Sequence, residues 1–303
     1  MAQNGHVRPE DVVEQVWPGR EFAIEPLGGG ITNHNFKVAL VDPHEIVVLR
    51  VAGKDTDLLG IDRQVETAAA RMASSIGVGP EVIDFVDPPG CLITRFIDGS
   101  PVPPEEMREP RNLARVADAL RAIHSTDPIP GRFDAHRVVE AYAETASTHG
   151  VEPPPDYNWA KSIADSIEAA RGPQPQVSCH NDLLNANFID DGEHIRIVDW
   201  EYAGLGDRFF DLANFSVNHQ LTEDDDRVLL AAYFGQSTDH DLASLRLMRF
   251  MSDFREAMWG VVQQAISALD FDFVKYADDH FARLRRAAAE PTFHRWLGAV
   301  GAS

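Results

Sequence analysis

The stretch from Val177 to Asn214 constrains the fold of this chain more than any other. It contains two short apolar runs, residues 187–189 and 195–198, and an Asp-Asp-Gly turn separates them at residues 190–192. Two apolar runs on either side of a turn that contains glycine predict a β-hairpin. A hairpin brings its two ends together, so the polar residues just outside it can converge.

Oxygen-bearing side chains lie on both sides of the predicted hairpin. Asp182 and Asn187 precede it in the spacing H-x-D-x-x-x-x-N, and Asp199 follows it. This pattern suits phosphoryl transfer, in which one Asp takes the proton of the attacking hydroxyl while the Asn and the second Asp hold Mg2+ against the nucleotide phosphates. Any one of the three would more often cap a turn. All three at this spacing favour catalysis.

The segment resembles the catalytic motif of the choline/ethanolamine kinase and aminoglycoside phosphotransferase superfamily. Its continuation, I-V-D-W-E-Y-A-G followed by R-F-F-D-L-A-N, is most similar to the choline kinase branch. The resemblance implies an α+β, two-lobe, protein-kinase-like fold. It implies a small antiparallel-sheet lobe with one helix at residues 1–97 and a larger, mainly helical lobe with the catalytic hairpin at residues 98–303. Arg208 and Asp211 resemble residues that brace the catalytic loop.

The amino-acid composition limits the kinds of molecule that we expect this protein to bind. The 303 residues carry a formal net charge of −21, which argues against nucleic-acid or anionic-membrane binding. The charge would steer a cationic small substrate, although solubility explains it equally well. The two cysteines, Cys91 and Cys179, form no metal or disulfide pattern. No signal peptide or membrane-spanning run is visible, so we expect a cytoplasmic protein; the oligomeric state is open.

A glycine-rich turn joins the first two predicted strands. Glycines allow a backbone to approach a phosphate, and neighbouring hydroxyl and amide groups add hydrogen bonds. We therefore expect this turn to cover the ATP phosphates, although such turns are more often only structural. The residues concerned are Gly29, Gly30, Thr32 and Asn33. Neither a P-loop nor a complete dinucleotide-binding fingerprint is present.

A cation lies on the third predicted strand, residues 45–52. Arg50 is the candidate phosphate-binding residue, as the Lys of this strand is in protein kinases. A helix is predicted at residues 61–76, and Glu66 lies at the border of its apolar stripe. Resemblance to protein kinases, in which a helix Glu pairs with the strand Lys, makes Glu66 the expected partner of Arg50, and Asp62 and Glu81 fit the spacing less well. Two more strands follow, and Thr94 and Phe96 resemble the hinge that binds the adenine edge.

The C-terminal third is predicted to be helical, and part of it resembles the choline kinase segment whose aromatic residues hold a quaternary ammonium group. A Trp of that family is replaced here by Glu256, which suits an amine that donates hydrogen bonds. The candidate substrate-binding residues are Glu201, Asp253, Glu256, Trp259, Phe273 and Tyr276. Alternatively, the aromatics belong to the core and the acidic pair Asp253 and Glu256 bonds to Arg249 and Arg255.

The sequence thus predicts an ATP- and Mg2+-dependent phosphotransferase that acts on the hydroxyl of a small amino-alcohol. The first alternative is a kinase of the same fold that acts on an aminoglycoside, a sugar or another alcohol. The second is a nucleotide-binding protein without catalysis. The presence of Asp182, Asn187 and Asp199 disfavours the second alternative.

Overall fold

The computed structural model describes residues 7–28 and 33–301. By its internal contacts the chain divides into two compact units. The first unit combines the chain up to Pro101 with Ala186–Glu201, and the second combines Val102–Asn185 with the chain from Tyr202 onward. The lobe boundary predicted after residue 97 stays a prediction.

The strands before residue 96 have five to eight residues each, and those from residue 100 onward have two to four. In chain order they are β1 (Phe22–Leu27), β2 (Asn33–Leu40), β3 (Glu45–Ala52), β4 (Val82–Val86), β5 (Cys91–Arg95), β6 (Ser100–Pro101), β7 (Gln176–Cys179), β8 (Phe188–Asp190), β9 (Ile195–Ile197) and β10 (Gly204–Asp207).

The helices dominate the chain after residue 101. In chain order they are α1 (Pro9–Val16), α2 (Arg63–Ser75), α3 (Pro104–Met107), α4 (Pro110–His124), α5 (Ala135–Thr148), α6 (Asp156–Arg171), α7 (Arg208–Asn218), α8 (Glu223–Phe234), α9 (Asp239–Ile266), α10 (Phe273–Ala289) and α11 (Pro291–Val300). Short 3-10 turns occur at Thr56–Leu59 and Asn185–Asn187.

The first unit contains the predicted antiparallel sheet, in the strand order β1-β2-β3-β5-β4. The period-2 pattern of a strand alternates side chains between the two faces. On β3 it buries Val47, Leu49 and Val51, which pack with Val12 and other apolar residues in one core. Arg50 therefore projects from the opposite face of the same strand.

Helix α2 begins two residues later than predicted because Asp62 is its N-cap. The Asp62 side chain accepts hydrogen bonds from the backbone N–H groups of Gln64 at 2.8 Å and Val65 at 3.3 Å. Such a cap satisfies amide groups that lack partners in the first turn. The cap fixes where the helix starts and so places Glu66 in its first turn.

The hairpin predicted around the Asp-Asp-Gly turn is confirmed. Strands β8 and β9 pair antiparallel, with Phe188 opposite Ile197 and Asp190 opposite Ile195. The Ile197 N–H also donates to the carbonyl of Val78 at 2.9 Å, which attaches the hairpin to the loop after α2. By contacts the hairpin belongs to the first unit, whereas the sequence predicts it in the larger lobe.

The second unit is mainly helical, and the long helix α9 packs against α5, α7, α10 and α11. A capping box at Thr238 and Asp241 starts α9. The sequence does not predict the pairing of β7 with β10. Among residues 7–28 and 33–301, no helix is long and apolar enough to cross a membrane. The cytoplasmic location stays a prediction.

Candidate active site

In the first unit, Arg50 lies among three carboxylates. Its Nη1 is 3.3 Å from Glu66 Oε1, its Nη2 is 3.7 Å from Glu201 Oε2, and Nη2 also donates to Asp199 Oδ1. The ion pair expected between Arg50 and Glu66 is therefore present. The Arg50 side chain is only 11% exposed, so most of the guanidinium is withdrawn from solvent.

A second cation, Arg63, completes this group and was missed from the sequence. Arg63 Nη1 donates to Glu66 Oε2 at 2.7 Å and to Glu201 Oε2 at 3.3 Å, and Nη2 donates to Asn33 Oδ1 at 3.1 Å. Asn33 Nδ2 in turn donates to Glu201 Oε2 at 2.8 Å. The available signal was the spacing of Arg63 and Glu66, which places them on one helix face.

We call Asn33, Arg50, Arg63, Glu66, Asp199 and Glu201 the ionic cluster. It holds one more carboxylate than guanidinium. Burial alone would lower the pKa of Arg50, but the negative charges of Asp199, Glu66 and Glu201 outweigh it and raise that pKa above its usual value. Arg50 is therefore a permanent cation, and the excess carboxylate makes the cluster suited to a further cation.

Two residues of the hairpin offer the oxygen atoms that a hard cation prefers. The carbonyl of Asn187 accepts the N–H of Val198 at 3.0 Å, so Asn187 is next to the residue that precedes Asp199. Asp199 has a φ of +69°, a region that residues other than glycine rarely adopt. Backbone strain of this kind is concentrated at functional sites. A carboxylate with an amide oxygen fits Mg2+.

The remaining nucleotide-binding predictions are described only in part. Gly29, Gly30 and Thr32 lie outside the described residues. Thr94 pairs with Val48 on one side and with Val82 on the other, inside the sheet. The N–H of Phe96 donates to the carbonyl of Ile46 at 3.1 Å. Contacts of Thr94 and Phe96 with adenine stay predictions.

In the second unit, Asp211 fixes the loop before Asp182. It is fully buried and accepts hydrogen bonds from His180 N at 2.8 Å, Asn181 N at 2.7 Å and His124 Nε2 at 3.0 Å. These bonds hold Asn181 at a φ of +67°. The contacts agree with the bracing role that the resemblance implies for Asp211.

The same region contains a compact group of possible metal ligands. Donor atoms of His124, Cys179 and Asp211 lie within 4.8 Å of one another. Burial, together with the charge of Asp211, raises the pKa of Cys179 well above its usual value, so that Cys179 is a neutral thiol. Both oxygens of Asp211 already accept hydrogen bonds. We therefore interpret this group as a structural brace.

Asp182 contacts Arg255 of helix α9, a residue that was not predicted to take part. Arg255 Nη2 donates to Asp182 Oδ1 at 3.0 Å and to the carbonyl of Asn181 at 2.6 Å. Its Nη1 lies 3.0 Å from Glu256 Oε1, and Glu256 Oε2 accepts the hydroxyl of Tyr276 at 2.7 Å. Burial alone would lower the pKa of Arg255, but Glu256 and Asp182 outweigh it and raise that pKa.

The predicted substrate residues of α9 and α10 are close together. The ring centroid of Trp259 lies 5.8 Å from that of Phe273 and 5.5 Å from that of Tyr276, both edge-on. Asp253 pairs with His280 at 3.0 Å and Arg283 at 2.6 Å.

The sequence offered the alternative that Asp253 and Glu256 pair with Arg249 and Arg255, and one of these two arginines does form such a pair. Glu256 does pair with Arg255. Arg249, in contrast, contacts Asp226 and Ser216. Glu201, also predicted to bind substrate, belongs to the ionic cluster of the first unit. Roles of these residues in substrate binding stay predictions.

Comparison with known proteins identifies the family. The profile described as choline/ethanolamine kinase matches residues 24–225. The chain belongs to the choline/ethanolamine kinase family. A solved choline/ethanolamine kinase family protein from Mesorhizobium loti is 32% identical, with a TM-score of 0.83 over 97% of this chain and 99% of that one.

Other relatives of this kinase are more distant. A probable ethanolamine kinase of Arabidopsis thaliana is 26% identical over 84% of this chain and 76% of its own length. Human ethanolamine kinase 2 is 25% identical over 86% of this chain and 75% of its own length. A solved aminoglycoside 2'-phosphotransferase, at 13% identity and a TM-score of 0.61 over 95% of this chain and 98% of that one, shares the fold. Family membership confirms the α+β kinase-like fold and an ATP-dependent phosphotransferase of the amino-alcohol kinase type.

Proposed function

We propose that this kinase transfers the γ-phosphoryl group of ATP to the hydroxyl of a small amino-alcohol, and that ethanolamine is a better acceptor than choline. The observation that carries the proposal is the buried carboxylate of Glu256, which is linked through Arg255 to Asp182 and bonded to Tyr276. Asp182 and Glu256 place two carboxylates against the single guanidinium of Arg255, so the group keeps an excess negative charge. Such a group suits an ammonium ion with N–H donors, which choline lacks. Relatives named as ethanolamine kinases support the same acceptor.

In the proposed reaction, Asp182 accepts the proton of the substrate hydroxyl. The hydroxyl oxygen forms a bond to the γ-phosphorus while the bond from that phosphorus to the bridging oxygen of ADP breaks. ADP leaves, and Asp182 later returns its proton to solvent. Most of the rate enhancement would come from positioning and charge neutralisation, since no covalent enzyme intermediate is needed.

The ATP phosphates need positive charge and metal. We assign Mg2+ binding to Asn187 and Asp199, whose oxygen donors fit that ion. When bound, Mg2+ neutralises negative charge on the phosphates. Arg50, held by Glu66, would bind the phosphates directly, and the turn with Asn33 would cover them. Contacts of Thr94 and Phe96 with adenine belong to the same proposal.

We assign the acceptor side to residues that carry negative charge or an aromatic face. Aromatic faces attract an ammonium group, and carboxylates accept its hydrogen bonds. The residues are Glu201, Asp253, Glu256, Trp259, Phe273 and Tyr276. The second candidate, an aminoglycoside or sugar kinase, is favoured only by the shared fold of such enzymes at 13–19% identity.

The test is an acceptor screen that follows ATP consumption with Mg2+. Ethanolamine should give the highest kcat/KM, choline a lower one, and aminoglycosides and simple sugars little turnover. Asp182→Asn should abolish turnover and leave ATP binding intact, while Asp165→Asn on the exposed face of α6 serves as the matched control. A preference for an aminoglycoside or sugar, or full activity of Asp182→Asn, would refute the proposal. ATP binding without turnover of any acceptor would favour the non-catalytic alternative.

A further inference from the structure

Arg255 is a buried charge in the middle of an apolar helix. Its side chain is 2% exposed, although a guanidinium is rarely buried without partners. Taking such a charge out of water costs several kcal/mol unless ion pairs and hydrogen bonds compensate it. Here Asp182 and Glu256 lie on two sides of the guanidinium, each at 3.0 Å.

The position of Arg255 is set by more than these two carboxylates. The Arg255 guanidinium also donates to the carbonyl of Asn181 and lies over the ring of Tyr202, 5.3 Å from its centroid. The Tyr276 hydroxyl fixes the other oxygen of Glu256. The guanidinium is thus held by Glu256 of α9 and by Asn181 and Asp182 of the catalytic loop, and Tyr276 of α10 acts on it only through Glu256. A small displacement of Arg255 would move one oxygen of Asp182.

We propose that Arg255 is a positioning residue for the phosphoryl transfer, which orients the Asp182 carboxylate, and that Glu256 holds Arg255 in place. The inference rests on the proposed role of Asp182 as proton acceptor. A cation at this distance also favours the carboxylate of Asp182 over its protonated form. Asp182 would then be ready to accept a proton throughout the neutral range.

The other ionisable groups near Asp182 do not supply the positive charge that Arg255 provides. Tyr142 of α5 and Tyr276 of α10 face the group, and burial raises the pKa of each above its usual value, so both are neutral at pH 7. Tyr202 stacks on Arg255. His180, in the same loop as Asp182, accepts the backbone N–H of Asp182 on Nδ1.

The test compares variants of Arg255 and one control in the 303-residue chain, with ethanolamine and MgATP as substrates. Arg255→Met removes the charge and should lower kcat by about 100-fold, because a displaced catalytic group costs roughly that factor. In the pH profile of kcat/KM, the acid limb should move to higher pH by about 1–3 units, because Asp182 loses the cation that favours its ionised form. Arg255→Lys keeps the charge and should retain the acid limb with a smaller loss of kcat. Neither should change KM for ATP.

Arg249→Met is the matched control, because Arg249 is on the same helix and bonds to the buried carboxylate of Asp226. A purely structural role predicts that Arg249→Met and Arg255→Met lose stability alike and keep the wild-type pH profile. If Arg255→Met does not fold, Arg255→Gln is the neutral variant, and the same shift of the acid limb is required. An unchanged pH profile in the neutral variant would overturn the inference. Failure of the wild-type protein to phosphorylate any amino-alcohol would instead reject the proposed function.

Discussion

Replacing Asp211 with Asn changes one oxygen of a fully buried carboxylate into an amide nitrogen and leaves the shape almost the same. In the native protein Oδ1 accepts Asn181 N–H, and Oδ2 accepts both His180 N–H and His124 Nε2–H. The three donors are shared between two oxygen atoms in the native protein, whereas the Asn variant has only one oxygen that can accept them. Which donor loses its partner depends on how the amide turns.

Both orientations of the new amide leave a buried donor unsatisfied. If the amide nitrogen takes the Oδ1 position, its N–H groups face the backbone N–H of Asn181, and neither donor has an acceptor. With nitrogen in the Oδ2 position, His124 can change tautomer and donate from Nδ1 to the Tyr233 hydroxyl, 2.7 Å away, but His180 N–H has no acceptor. One unsatisfied buried N–H costs about 1–3 kcal/mol, and loss of charge weakens the remaining bonds by about 1 kcal/mol each. We expect Asp211→Asn to lower the free energy of unfolding by about 3–5 kcal/mol.

The pH dependence gives an independent check. Burial acts to raise the pKa of Asp211, but the hydrogen bond and charge of His124 and the contribution of His180 outweigh it, so the folded pKa is below the usual 3.8. A lowered folded pKa stabilises the protein fully above the unfolded value and loses this effect as pH falls through the folded value. The stability difference between wild type and Asp211→Asn should be constant from about pH 5 to 7 and shrink below about pH 4.

Urea unfolding monitored by circular dichroism measures the loss of unfolding free energy and its pH dependence. The kcat of Asp211→Asn should also fall, because Asp182 follows directly in the loop that Asp211 braces. The control is Asp279→Asn, which changes a surface carboxylate paired with Lys275 and should leave the unfolding midpoint unchanged. An unfolding free energy for Asp211→Asn within 0.5 kcal/mol of wild type, about the range of neutral surface changes, would refute the reasoning.

Two further predictions concern the first unit. Asp199→Asn should weaken ATP binding in the presence of Mg2+ far more than in its absence, and calorimetric titrations that show the same affinity ratio as wild type would reject Asp199 as a metal ligand. Gly99→Ala should lower the free energy of unfolding by about 1–3 kcal/mol, because the added Cβ would lie 2.5 Å from Asp190 O and 2.8 Å from Ile189 Cγ2. In Gly298→Ala the added Cβ meets no atom within 4 Å, so this control should not be destabilised.

Elements fixed by local pattern could be predicted from the sequence with correct bounds or nearly so. Strand β3 occupies residues 45–52 as predicted, because six of these eight residues are apolar and form a short run of strand length. Hairpin β8–β9 was equally clear from its turn. The ion pair of Arg50 with Glu66 followed from the resemblance to protein kinases, in which a strand cation pairs with a Glu of the next helix.

Long-range pairing of short segments was not predictable. Strands β7 and β10 have four residues each, and β10 contains two glycines that weaken any strand pattern. The structure supplies the reason for Gly206, because a Cβ there would lie 2.9 Å from the carbonyl oxygen of Phe133. That reason exists only once the fold has brought the two backbones together.

Helix α9 shows which signal could have identified Arg255 earlier. Its apolar residues were expected to form one broad face, yet every residue from Phe250 to Gln263 is buried. A helix that is buried all round cannot direct its charged residues to solvent, so Asp253, Arg255 and Glu256 each need a partner inside the protein. Two of these residues are adjacent and of opposite charge, which is why their pairing could be considered from the sequence. The contact with Asp182 joins residues 73 positions apart, and no spacing rule reaches that far. The charge content of a buried helix therefore shows that partners must exist, and only the fold shows that one of them is the residue proposed to take the proton.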